Sequence, residues 1–206
     1  EQPDLLDHVA GLAAQVIQAV TGFRPQGTRK TAVEQPSVPF VAQDQVTPDL
    51  QFFRSIALQL EARSPLYQGR TRRILELALE TNRAAGLTVD TTQLEAAIYM
   101  HDAGMMFLPE PLWLRTGKLS EEERRVLHTH CGFGSGILAR MPGWQPAAEM
   151  VMQHHEMPDG AGYPNAIRDD KICAGAKILA IVDAFEAVTL KHSERGHKIS
   201  ILRAIA

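Results

Sequence analysis

The stretch QPAAEMVMQHHEMPDGAGYP, residues 145–164, decides how the fold is read. Apolar positions recur at helical spacing as far as His155, and then Pro158, Gly160, Gly162 and Pro164 end the helix in a tight turn. Two adjacent imidazoles stand at that helix end. A packed core rarely holds two such rings in a row, because each carries polar nitrogens that need partners. A metal ion supplies them. Neighbours on a helix diverge by about 100°, so His154 and His155 reach one metal cluster only if the helix stops there or two metals are present. These features predict an all-α fold, a helical bundle with its site between helices.

Working outward, the same periodicity predicts helices over 49–62, 67–85, 91–103, 120–141, 145–155, 174–190 and 198–206. Ser120 with Glu123 is a capping box that fixes the start of the fourth. No alternating run makes a convincing strand. Residues 5–20 also have helical spacing, whereas 21–47 form a polar stretch punctuated by Gly22, Pro25, Gly27, Pro36 and Pro39. The expected division is an N-terminal helix and linker over 1–47 and a helical domain over 48–206. The first helix reads equally as an interdomain, dimerisation or packing helix, which admits a homodimer. The chain opens on Glu1 and closes on Ala206 inside a helical pattern, so both ends read as trimmed and a regulatory domain is expected outside it.

With 206 residues, 45% of them hydrophobic, the chain can bury one sizeable core. A formal net charge of −3 provides no global basic patch and argues against DNA or RNA as the main partner. Cys131 and Cys173 are the only cysteines, too few for a disulfide framework, and they fit a reducing, cytoplasmic setting. Cys131 adjoins His130. Thiolate ligation is open there, but a small buried side chain is the commoner fate of a free cysteine, and Cys131 is read that way. No apolar run reaches the length of a membrane span, and no signal peptide is visible.

Other segments carry matching chemistry. His101-Asp102 closes the apolar run 94–100 and offers one nitrogen and two carboxylate oxygens at a helix end. His128 and His130 lie two apart on a predicted helix, so they face different ways and at most one turns toward His101. Gly132, Gly134 and Gly136 follow; glycine is costly in a helix and implies a close backbone approach. Asp183 sits in the apolar run Leu179-Ala180-Ile181-Val182-Asp183-Ala184-Phe185, where an ionised carboxylate needs a salt bridge or a bound cation. Each group alone has a bland alternative as a capped, solvated or ion-paired side chain. As a set they offer mixed nitrogen and oxygen donors that suit Fe, Mn or Zn better than Mg or Ca. Six donors exceed the needs of one tetrahedral ion, so two metals bridged by Asp102 is the economical reading. Such a pair activates water and stabilises a phosphoryl centre.

These residues resemble the HD-GYP family, a branch of the HD phosphohydrolase superfamily, over residues 64–189. His101-Asp102-Ala103-Gly104 is similar to the HD motif, and Leu108-Pro109 and Gly117-Lys118-Leu119-Ser120 to the loop and helix start after it. The segment from His130 to Leu138 resembles the next ligand segment. His154-His155-Glu156 with Asp159-Gly160-Ala161-Gly162-Tyr163-Pro164 resembles the motif that names the family, and 181–189 its last ligand helix. The resemblance implies an all-helical fold, a di- or trinuclear metal centre, often iron or manganese, and hydrolysis of cyclic di-GMP to the linear dinucleotide or GMP; two transition-metal ions, Fe or Mn ahead of Zn, are expected here. It implies His101, Asp102, His130, His154, His155 and Asp183 as ligands, with His101 and Asp102 catalytic. Substrate contacts are expected from Arg70, Tyr163 and Lys118. His128 has no matching role and is read as a surface histidine.

Three positions depart from the family pattern. Met105 stands where the family has a lysine after the glycine, and supplies neither charge nor donor. Arg70 stands where the family carries a histidine, and Leu66 near the place of a glutamate that serves a third metal. The tail 190–197 matches poorly to an arginine-bearing segment. Arg70 has two readings: it binds a substrate phosphate, or it occupies the vacated metal position and neutralises a carboxylate there. Glu156 and Asp159 are expected to hold the ligand histidines through their second nitrogens. The leading expectation is therefore a metal-dependent cyclic dinucleotide phosphodiesterase. One alternative is a degenerate module that binds cyclic di-GMP or a protein partner without efficient turnover. Another is an enzyme acting on a mixed cyclic dinucleotide or a mononucleotide.

Overall fold

The computed structural model describes residues 43–194 apart from 87 and 114–117. The expected helices over 5–20 and 198–206, and the linker up to residue 42, lie outside the described residues. Eight α-helices are described: α1 (Gln43–Glu61), α2 (Arg70–Ala84), α3 (Thr91–Met100), α4 (Glu110–Trp113), α5 (Glu121–His128), α6 (His130–Leu138), α7 (Gln145–Gln153) and α8 (Ala174–Glu194). Short 3-10 turns occur at Pro65–Tyr67, Ala103–Phe107 and Asp169–Lys171. No strand occurs among the described residues.

The bundle is built around α3. Leu94 and residues 96–100 of this helix are all buried, so it is apolar nearly all round and packs against α1, α2 and α7. Asp90 caps its start, accepting from the Gln93 N–H at 2.9 Å. Phe53 of α1 meets Trp144 edge to face at 5.1 Å, and the Trp144 indole N–H donates to the Asp49 carboxylate at 2.6 Å. Ile74, Ile98, Leu138, Val151, Ile178 and Leu179 complete the core. At the end of α3 the chain turns tightly over α6. A Cβ on Gly104 would lie 2.0 Å from the His130 carbonyl oxygen, and one on Gly134 would lie 2.8 Å from that of Met100. The close approach expected from the glycines after His130 is thus present at Gly134 and supplies the seam between the His101 and His130 segments.

Several helix boundaries differ from expectation, and the short helix α4 was not expected; three of the differences have a physical reason in the structure. Residues 43–47, expected in the linker, form the first turn of α1, so the helical unit starts ahead of the 47/48 division. Pro48 lies inside α1, where its missing N–H gives up one helical hydrogen bond to the carbonyl of Asp44. The helix expected from 67 begins at Arg70. Gly69 takes a left-handed backbone, and the Glu61 carboxylate at the end of α1 accepts from the N–H groups of Gly69 and, at 3.0 Å, Thr71. The helix expected over 120–141 is broken at Thr129. The Thr129 hydroxyl donates to the Val126 carbonyl at 2.6 Å and the His130 ring to that of Leu127 at 2.7 Å, while the Thr129 N–H reaches Val126 only three residues back at 3.1 Å, so side chains share the last carbonyls and the ladder tightens into a turn. The Ser120–Glu123 capping box forms as expected.

Candidate metal centre

His101, His130 and His154 each sit at or just past the end of a helix, and they share one device. The Nδ1 of each lies 2.7 Å from the carbonyl oxygen three residues earlier, that of Ile98, Leu127 and Val151 respectively. A carbonyl only accepts, so Nδ1 carries the proton and donates. The lone pair of each neutral ring is thereby left on Nε2, the tautomer a metal ligand needs. Backbone carbonyls do the work that was expected of Glu156 and Asp159. Those two serve the turn over 159–164 instead. Glu156 accepts from the N–H groups of Asn165 at 2.6 Å and Ile167 at 3.1 Å, and Asp159 accepts from that of Ala161 at 2.9 Å.

The four imidazoles converge. Ring centroids are 5.5 Å apart for His101–His154 and for His130–His154, 5.2 Å for His130–His155 and 4.0 Å for His154–His155. Two donor clusters result. The ligand atoms of His130, Cys131, His154 and His155 lie within 4.8 Å of one another, as do those of His101, Asp102 and Asp183. All six expected ligands therefore fall in the clusters. Cys131, read as a packing residue, is buried, and its Sγ lies 3.5 Å from His130 Nε2. Burial, then the nearby Asp102 charge, pushes its thiol up to about 12. Its position next to His130 was the available signal.

Asp102 joins the clusters. Its Oδ2 is 3.3 Å from His101 Nε2, and its Oδ1 is 3.9 Å from His130 Nε2. Burial opposes its charge, but His101 and Arg70 prevail and hold the carboxyl well below the usual carboxylate range. Burial likewise opposes charge on His101, while the Asp102 carboxylate and its hydrogen bond raise that imidazole above its ordinary value. His154 and His155 go the other way. Burial, and then the neighbouring imidazoles, push each down to about 3. His154 is 1% exposed, and its Nε2 has no hydrogen-bond partner. A buried, unpartnered lone pair among imidazoles, with thiol and carboxylate donors beside it, fits a transition-metal ion.

The three residues expected to contact substrate separate. Arg70 does not face outward: its guanidinium donates to Asp102 Oδ2 at 2.8 Å and to Asp183 Oδ1, and its Nη2 is 3.4 Å from His101 Nε2. Tyr163 stands beside the imidazole cluster, its ring 4.7 Å from His155. Its other contact corrects the reading of His128 as a free surface group. That ring is half-buried and stacks on Tyr163 at 3.5 Å and 5°. The two are 35 residues apart in the chain (163 − 128), so no local pattern could have paired them. Lys118 is exposed ahead of α5, and no hydrogen bond or ion pair among the described residues ties it to the clusters. Met105 is half-buried and puts no charge beside the HD pair.

With the helical frame and the clusters in place, comparison with known proteins places the chain. A family model described as HD domain matches residues 55–206. The chain belongs to the HD domain family. Within that family this HD domain is related to HD-GYP proteins and cyclic-dinucleotide phosphodiesterases. It is 32% identical over 112 residues to a cyclic di-GMP phosphodiesterase of Thermotoga maritima, covering 53% of this chain and 30% of that protein. It is 28% identical over 166 residues to 3'3'-cGAMP-specific phosphodiesterase 1 of Vibrio cholerae, covering 78% of this chain and 38% of the relative. It is 34% identical over 97 residues to the cyclic di-GMP phosphodiesterase response regulator RpfG of Xanthomonas campestris, covering 46% and 26%. The HD domain thus spans between 26% and 38% of the length of these relatives. Its two donor clusters are consistent in number with a binuclear metal centre. No helix among the described residues is long and apolar enough to cross a membrane.

Proposed function

We propose that this HD domain is a metal-dependent phosphodiesterase that hydrolyses a cyclic dinucleotide, with cyclic di-GMP as the first substrate to test. The observation that carries the reading is the convergence of four imidazoles, His101, His130, His154 and His155, with Asp102 beside His101 and His130 and three of the rings locked as Nδ1–H tautomers. A bound Fe, Mn or Zn ion supplies Lewis acidity that activates water and neutralises charge on phosphoryl oxygens. His130, His154, His155 and Asp102 would hold such an ion, with Cys131 beside them. Asp102 stays ionised and fixes His101, and these two are the catalytic pair of the proposal. Tyr163, between His128 and His155, offers an aromatic edge at the cluster to a nucleobase. In the reaction the phosphorus gains the oxygen of water, the bond to one ribose oxygen breaks, and that oxygen leaves protonated.

The relatives' names support two substrates, cyclic di-GMP and 3'3'-cGAMP, and both belong in one assay. Anaerobically purified protein should cleave at least one to a linear product, with His154→Ala abolishing cleavage and bound metal together. Protein that carries no transition metal and is unchanged by that substitution defeats the proposal. The proposal extends to a cytoplasmic protein with a regulatory domain beyond this chain, supported by the unmatched length of the relatives, and to a homodimer, which sedimentation measures.

A second reading is supported by Met105 and by the Arg70 ion pairs: a module that binds the cyclic dinucleotide, or a protein partner, without efficient turnover. Met105→Lys discriminates. A large gain in turnover marks a weakened enzyme, whereas tight binding of intact ligand with no cleavage in either form marks a receptor.

A further inference from the structure

The carboxylate cluster already contains a cation of the chain's own. Arg70 is 15% exposed, its guanidinium spans Asp102 Oδ2 and Asp183 Oδ1, and it approaches the His101 Nε2 that a metal ligand would use. Its placement is fixed by packing as well as by charge. Arg70 and Arg73 lie three apart on α2, and Asp183 and Glu186 three apart on α8. Arg73 donates to Glu186 at 2.8 Å, so two parallel arginine–carboxylate pairs set the register of α2 against α8. The Tyr67 ring lies 5.7 Å below the guanidinium.

Among the described residues no arginine or lysine pairs with the imidazole cluster in the same way. With metal–nitrogen bonds of about 2.1 Å, two ligands of one ion lie about 3.0–4.2 Å apart. His130 Nε2 and Asp102 Oδ1 are 3.9 Å apart, which suits one shared ion, while Oδ2 of the same carboxylate is committed to Arg70. A divalent ion placed among His101, Asp102 and Asp183 would meet a permanently charged guanidinium on the same oxygens.

We propose that Arg70 replaces the second metal ion, so that the HD domain binds one ion, in the imidazole cluster, with Asp102 shared between that ion and the guanidinium. This rests on reading the imidazole cluster as a metal site. The donor count alone is consistent with two ions; the positive charge between Asp102 and Asp183 reduces it to one.

The test is metal stoichiometry of the full chain, loaded anaerobically with Mn(II) and desalted, read by elemental analysis and electron paramagnetic resonance. The wild type should carry about one ion per chain, with the hyperfine pattern of an isolated ion, and Arg70→His should carry about two, with an exchange-coupled spectrum. Arg70→Lys keeps the charge and should stay at one. Circular dichroism checks that each variant folds, and the wild-type measurement stands without them. Two coupled ions in the wild type, or a folded Arg70→His that stays at one, overturns the proposal while leaving the metal site intact. A wild type that binds none overturns the metal site and this proposal with it.

Discussion

Replacing Glu156 with alanine should loosen the metal centre without touching a ligand. Glu156, next in sequence to His155, is buried, and its two oxygens accept from the N–H groups of Asn165 and Ile167. Hydrogen bonds to a charged group contribute about 1.5–3 kcal/mol each. Asn165 is exposed, so water can recover part of its loss, whereas Ile167 is half-buried and recovers less. The net cost is about 3 kcal/mol. With a urea slope of about 1.5–2 kcal/mol/M for a domain of this size, the unfolding midpoint should fall by about 1.5–2 M with the slope unchanged. The loss should be local as well. The turn that Glu156 holds also returns the Tyr163 N–H to the His155 carbonyl at 3.1 Å, so hydrogen exchange at residues 163–167 should accelerate and metal should dissociate faster. Glu156→Gln should recover at most half, because its amide sets a donor against one of the two N–H groups. A midpoint shift under about 0.5 M, with residues 163–167 still protected from exchange, would refute the role given to Glu156.

Three further outcomes are expected. In the metal-free chain His154 and His155 stay neutral down to about pH 3, whereas the unfolded chain protonates them below 6.5. Stability should therefore be independent of these rings above pH 6.5 and fall as the pH drops from there toward 3, by about 1.4 kcal/mol per pH unit for each ring. Denaturation midpoints measured between pH 7.5 and 5 check this, and a flat profile counts against buried neutral rings. Gly134→Ala forces a Cβ to 2.8 Å from the Met100 carbonyl and should cost about 1–3 kcal/mol, while Gly132→Ala, with nothing within 4 Å, should leave the midpoint unchanged or raised. Trp144→Ala removes a fully buried indole and leaves the buried Asp49 carboxylate with only its hydrogen bond from Gln45, so calorimetry should show a loss of about 3–5 kcal/mol.

The helical class and the six convergent donors were legible because both leave local marks. Apolar positions recur at 3.6-residue spacing, and histidines and aspartates stand out at helix ends and in apolar runs. The capping box was legible for the same reason, since Ser120 and Glu123 meet within one turn. Most of what escaped involves partners distant in sequence. Glu61 caps α2 across a 3-10 turn, and His128 meets Tyr163 from the turn that follows α7. The break at Thr129 escaped because hydroxyl and imidazole compete with backbone amides for carbonyls, a contest that periodicity does not register. Arg70 is an intermediate case. Its two readings were visible in the sequence, and the choice needed Asp102 and Asp183, 32 and 113 residues away, to be seen on either side of it.

The carbonyls that orient His101, His130 and His154 belong to the last turns of α3, α5 and α7. The C-terminal end of a helix carries the negative pole of its aligned peptide dipoles, worth about 0.3–1 kcal/mol to a nearby cation when exposed and more when partly buried. Three such ends bring their histidines together at one place. The backbone alone thus makes this spot attractive to positive charge before any side chain is counted. Because peptide groups cannot be mutated away, that preference should outlast the loss of individual ligands, leaving a weak cation site even in chains whose histidines have drifted.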